Sequence, residues 1–179
     1  SLTETLLTPI NISQKFNTSG KLVSLDTDLV GIKEGAVNLR KIQFALKTAN
    51  GNSLIAAGVE GRGNTGVPGV VTGIPVGEAV TSLIFLHAAA KAASNKESFR
   101  LIWDQQDTAD LLGWYEIVYE DGFVTTVPIR YGVNILEWNW SKRTSAHDYC
   151  YGGDAIGIGK YPNDDITFFA FEWINPRLG

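Results

Sequence analysis

The stretch from Gly113 to Arg130 constrains the chain more tightly than any other. GWYEIVYE alternates Tyr115, Ile117 and Tyr119 against Trp114, Glu116 and Val118, Asp121-Gly122 follows, and FVTTVPIR returns with Phe123, Thr125, Val127 and Ile129 on one side. A strict two-residue period on both flanks of a turn dipeptide is the pattern of a half-buried antiparallel hairpin. Pro128 has no N–H to give to a ladder, so it marks a bulge or an edge.

Other segments read the same way. In Lys41 to Lys47, Ile42, Phe44 and Leu46 alternate with Gln43, Ala45 and Lys47; Asn50-Gly51 then suits a tight turn, with Ser53 to Gly58 as the returning strand. The first forty residues show no firm period and read as an extended lead-in with short strands. Residues 61–76 carry five glycines and two prolines, a long loop around a short Val70-Val71-Thr72 strand. Residues 79–93 fit either a helical face through Val80, Leu83, Ile84, His87 and Ala88, or a central strand over Ser82 to His87. The strand is the better fit to the chain around it. Val133 to Trp138 reads as a further strand, 139–165 as a polar, glycine-bearing stretch, and Ile166 to Trp173 (ITFFAFEW) as the last strand before Asn175-Pro176. Short strands at this spacing predict an all-β, two-sheet antiparallel sandwich forming a single domain over 1–179.

Composition supports that class and narrows the partners. The 179 residues are 44% apolar and only 19% charged, with 19 glycines, which favours strands and turns over long solvated helices. Fifteen Lys and Arg against nineteen Asp and Glu give a net charge of −4 with no basic run, so nucleic acid is excluded as an expected partner. No stretch approaches the ~20 apolar residues of a membrane span. Cys150 is the single cysteine, which rules out an internal disulfide and a cysteine-built zinc site. The chain contains no Met, so Ser1 is not expected to be the primary start of translation: a leader, tag or preceding domain would have been removed, and the chain would be a piece of a larger protein.

Candidate chemistry is sparse. Gly61-Arg-Gly-Asn-Thr-Gly66 matches the spacing of a dinucleotide loop, but Val67-Pro68-Gly69-Val70-Val71 cannot begin the helix whose N-terminus would meet a pyrophosphate. Asp104, Asp107 and Asp110 offer carboxylates suited to a structural calcium but lack the spacing and turn glycine of an EF-hand, and a solvated acidic loop is the better account of them. No other cofactor or metal is expected. His147 lies three residues from Cys150, whereas a hydrolase draws nucleophile and base from distant segments, and no Gly-x-Ser-x-Gly is present. No catalytic residue is assigned and the chain is not expected to be an enzyme. The remaining signal is aromatic. Trp138 and Trp140 flank Asn139, and His147, Asp148 and Tyr151 share the polar stretch that follows. Sugar C–H faces stack on flat rings while Asn, Asp and His bond the hydroxyls, so these five are the candidate ligand-binding residues. The competing reading makes Trp138 a plug at one end of the sandwich.

Several pieces, in order along the chain, resemble a galactose-binding-like, jelly-roll accessory domain that accompanies bacterial glycoside hydrolases. They are INISQKFN (10–17), Gly31 to Phe44 ending in RKIQF, IPVGE (74–78) leading to SLIFLHA (82–88), YEIVYEDG (115–122), VPIRYG (127–132) with Ile135 and Trp138, and EWINP (172–176). The resemblance implies a secreted, periplasmic or cell-surface module that binds or positions a poly- or oligosaccharide without chemistry of its own. It also implies that 82–88 is a core strand and that His87 is structural. Two other classes stay open: a structural domain packing against a glycoside hydrolase catalytic domain, and a stand-alone hydrolase.

Overall fold

A computed structural model describes residues 7–18, 21–22, 27–28, 35–39, 42–58, 68–90, 111–140, 150, 152–160 and 165–177. These residues form nine strands and one short 3-10 turn, an all-β chain. The strands are β1 (Lys21–Leu22), β2 (Thr27–Asp28), β3 (Gly35–Leu39), β4 (Ile42–Leu46), β5 (Ser82–His87), β6 (Leu111–Val118), β7 (Val124–Arg130), β8 (Asp154–Lys160) and β9 (Asp165–Ile174). β1–β2, β3–β4 and β6–β7 are antiparallel pairs, and β5-β9-β8 is a three-stranded sheet in which β5 and β9 run antiparallel. Contacts group the chain into two units, one formed by Ser1–Glu78 with Ile158–Ile166 and the other by Ala79–Gly157 with Thr167–Gly179.

In the first unit, β4 forms where the alternation places it, but its partner differs from the expected one. β4 pairs with β3, Val37 opposite Phe44, and not with 53–58. The Asn50-Gly51 turn does form, both residues at positive φ, closed by reciprocal Ala49 and Asn52 backbone bonds of 2.8 and 3.0 Å. Beyond it the chain is captured by Asn17. The Asn17 side chain donates to the Ala56 carbonyl (2.8 Å) and accepts from the Ala56 N–H (2.7 Å), while Thr18 and Leu54 bridge beside it. One amide side chain thus makes both bonds of one ladder rung. Val70 to Thr72 forms no strand.

In the second unit, β5 settles the ambiguity of 82–87 as a strand. Its register with β9 sets Leu83 opposite Trp173, Phe85 opposite Phe171 and His87 opposite Phe169. Residues 166–170 of β9 are all buried, so this part of the strand is covered on both faces, which explains why its sequence is a near-continuous apolar run. Ala89, Tyr131, Ile135, Leu136, Cys150 and Phe169 form the buried cluster, with Ile129, Trp140 and Ala155 packed against it. Each fully buried apolar side chain of this kind contributes ~1.5–3 kcal/mol.

Two expectations for this region are corrected. Residues 133–138 do not form a strand. After β7 the chain turns at Gly132 (φ +82°), and the Asn134 side chain holds the turn by accepting from Arg130 N–H (2.9 Å) and donating to the Pro128 carbonyl (2.9 Å). Only single bridges follow, Tyr131 to Ile135 and Ala89 to Glu137. The polar stretch 139–165, in turn, contains β8, where Ile156 and Ile158 are buried and Gly157 between them is exposed. Ahead of it, Gly152 and Gly153 run against the 133–134 backbone so closely that a Cβ would sit 2.8 Å from the Val133 carbonyl oxygen or 2.9 Å from that of Asn134.

Candidate functional site on the outer face of a hairpin

Alternation along β6 and β7 produces two faces of opposite character. Tyr115, Ile117, Thr125, Val127 and Ile129 are half-buried or buried, whereas Trp114, Glu116, Val118, Val124, Thr126 and Pro128 are exposed. Register places Trp114 opposite Pro128, Glu116 opposite Thr126 and Val118 opposite Val124, so the outer face is three cross-strand rungs. A register shift between Leu111 and Gly113 leaves both Leu111 and Leu112 exposed at one end. Of the two readings of Pro128 the edge holds: β7 pairs with β6 in a two-stranded sheet, and the irregularity lies elsewhere, at Leu111–Gly113.

Trp114 is the distinctive member. It is 56% exposed, and its indole N–H donates to Glu116 Oε1 at 3.1 Å. A large ring with one polar handle is thereby restrained on an open surface, at the cost of leaving apolar area in water. The turn at the other end is fixed by a second cluster. Tyr119 N–H donates to the Phe123 carbonyl (2.8 Å), the N–H of Gly122, at φ +85°, donates to the Tyr119 carbonyl (2.9 Å), and Asp121 Oδ1 accepts from the Phe123 N–H. Arg177 lies 4.6 Å from the centroids of both the Tyr119 and the Phe123 rings, and its guanidinium bonds both Asp121 oxygens at 3.1 and 2.7 Å. Those bonds, with the Phe123 N–H, hold the Asp121 carboxyl down at about 2. Tyr119 O–H donates to Asn175 Oδ1 (2.6 Å), and Asn175 in turn donates to Val80 O (2.9 Å). The hairpin tip is therefore tied to the segment after β9.

The inner face anchors the same hairpin. His87 is 9% exposed, its Nε2 lies 2.7 Å from the Asn134 carbonyl oxygen, and its Nδ1 lies 2.7 Å from the Tyr115 hydroxyl. A carbonyl can only accept, so Nε2 carries the proton and Nδ1 accepts from Tyr115. Phe85 stacks on Tyr115 at 4.0 Å, and Phe171 lies parallel to the imidazole at 6.3 Å. Burial lowers the His87 pKa to about 4, against a smaller opposing effect of the Asn134 bond, and raises that of Tyr115. Both rings are neutral at pH 7, and their joint role is to pin β6 to β5 and to the 131–135 turn.

Of the five residues singled out by sequence, two are described. Trp138 is 5% exposed, its N–H bonded to Ala89 O and its carbonyl accepting from Thr167 N–H, so its ring lies inside and offers no open face for stacking. Trp140 is half-buried against the apolar cluster. His147, Asp148 and Tyr151, and with them Asp104, Asp107 and Asp110, lie outside the described residues. Cys150 is fully buried, its thiol donating to Val133 O and pushed up by burial to about 12, so it is no nucleophile at neutral pH. Among the described residues no three His, Cys, Asp or Glu side chains converge, and no helix is long and apolar enough to cross a membrane. A recess in the first unit, lined by Pro9, Ile12, Phe16, Ala45 and Lys47 among others, holds about 60 Å³, well short of the ~300 Å³ of the smaller ligand pockets. Comparison with protein-family models, with curated proteins and with solved structures finds no match.

Trp114 was absent from the sequence-derived set although its signal was visible. It stands on the same side of GWYEIVYE as Glu116, and a tryptophan that shares a strand face with a charged residue is an exposed tryptophan.

Proposed function

We propose that this chain is a non-catalytic carbohydrate-binding or substrate-positioning module of a bacterial carbohydrate-processing system, exported to the periplasm, the cell surface or beyond. In this reading the strands complete a jelly-roll-like sandwich of the galactose-binding kind, and the outer face of β6–β7 is the contact surface. The observation that carries it is Trp114: an indole more than half exposed, restrained by Glu116, on a hairpin face whose next rung sets Glu116 opposite Thr126. A pyranose presents a C–H face to such a ring and hydroxyls to such neighbours.

A structural role is the second reading, favoured by the aliphatic flanks. Leu112, Val118 and Val124 are exposed on the same hairpin and cannot stack on a sugar as an indole does, but would suit the surface of a glycoside hydrolase catalytic domain. Affinity electrophoresis through gels cast with a panel of polysaccharides separates the two. Retention by at least one polymer, lost in Trp114→Ala, is expected from carbohydrate binding. Retention by none sinks that reading and leaves the structural one. Turnover of chromogenic glycosides by the purified chain would contradict both.

A further inference from the structure

We infer that Glu116 makes the Trp114 platform selective for uncharged sugar residues over uronates and sulfated sugars. The inference rests on the carbohydrate reading above. Its basis is the bond from the indole N–H to Glu116 Oε1 at 3.1 Å, which places a carboxylate at the rim of the exposed ring. That bond uses one of the roughly four acceptor positions of a carboxylate, and none of the others can donate. A hydroxyl arriving at the rim finds an acceptor. A carboxylate or sulfate arriving there finds like charge and no donor from Glu116.

The surrounding charges do not reverse this. Across the ladder, Glu116 faces Thr126 and Trp114 faces Pro128, both uncharged. Glu120 is exposed beside the turn, and Asp121 has its charge matched by Arg177. Arg130 stands two positions beyond Pro128, opposite Leu111 at the end of β7, and is engaged in an interaction of its own. Glu116, by contrast, is bonded to the platform itself. Two like charges several ångströms apart at a water-exposed surface discriminate by roughly threefold to fivefold at low salt, and by less as the Debye length shrinks.

The test pairs each polysaccharide retained by the full chain with the same polymer after oxidation of its C6 hydroxyls to carboxylates, so that backbone and linkage are constant. The wild-type chain should bind the neutral form roughly threefold to fivefold more tightly at low ionic strength, the gap closing in 0.5 M NaCl. Glu116→Gln keeps a side-chain oxygen for the indole N–H and removes the charge. It should abolish the discrimination, read as the ratio of neutral to oxidised binding within each protein, whatever its effect on neutral binding alone. An unchanged ratio in Glu116→Gln, or a wild-type preference for the oxidised polymer, overturns the assignment of selectivity. Trp114→Ala tests the underlying reading separately: if it binds neutral polymer as the wild type does, the platform itself is misplaced, whatever Glu116→Gln does.

Discussion

His87 should make the chain acid-labile in a defined window. The imidazole is buried with Nε2–H committed to the Asn134 carbonyl and Nδ1 accepting from Tyr115, so folding selects the neutral ring. Its pKa falls from 6.5 to about 4. Because the folded value lies below the unfolded one, the unfolded chain binds the proton more readily. The associated stability is fully present above about pH 6.5, declines as the pH falls towards 4, and changes no further below that. A drop of that size corresponds to about 3 kcal/mol. The measurement is urea unfolding of the wild type and of His87→Gln at a series of pH values from 7.5 to 4. Glutamine can donate to Asn134 and accept from Tyr115 but does not titrate. Titration of the carboxylates is common to both proteins and cancels in the difference. The wild type should lose about 3 kcal/mol more than the variant across the window. Parallel curves would refute the buried, neutral histidine. If His87→Gln does not fold, hydrogen exchange of the wild-type β5 amides over the same pH range, normalised for intrinsic rates, reports the same loss.

Three further outcomes follow from burial and bonding. Trp138→Ala should destabilise the fold by ~3–5 kcal/mol, whereas Trp114→Ala should stay within ~0.5 kcal/mol, and thermal unfolding of the two variants compares them directly. Thr167 Oγ1 is buried with no hydrogen-bond partner among the described residues, so Thr167→Val should be neutral or stabilising by up to ~2 kcal/mol in chemical denaturation; a loss of stability would reveal a partner for that hydroxyl. Arg177→Ala removes both ring contacts and the bidentate pair to Asp121, so amide exchange should accelerate at Gly122 and Phe123 while β5 amides are unaffected; Arg177→Lys, which lacks the planar fork, should not restore protection.

What was legible in the sequence was whatever depended on local alternation. The hairpin around Asp121-Gly122, the strand over 82–87 and the strand over 166–173 each carry their own pattern, and each formed. Pairing was not legible where a side chain decided it. Nothing in SLIAAG announces that Asn17, 39 residues away from Ala56, takes its backbone bonds, so the Asn50-Gly51 turn was right and the partner of β4 was wrong. β8 was hidden because Gly157 and Gly159 alternate with Ile156 and Ile158. Glycine normally signals a loop, and here one of the two occupies the exposed position of a strand. Trp138 carried two readings, a ligand platform on a polar stretch and a plug, and its burial agrees with an interior ring, while Trp114 was left outside by simple alternation.

The central claim is that the outer face of β6–β7, and Trp114 on it, meets the ligand. The chain holds five tryptophans, so an amide-nitrogen correlation spectrum resolves at most five indole N–H signals, each assignable by single Trp→Phe replacement. Titration with an oligosaccharide of the retained polymer should shift the Trp114 indole signal first and furthest, because its N–H is bonded to Glu116 at the rim of the platform, and should leave Trp138 unmoved. Saturable shifts at other tryptophans with Trp114 unchanged would contradict the account.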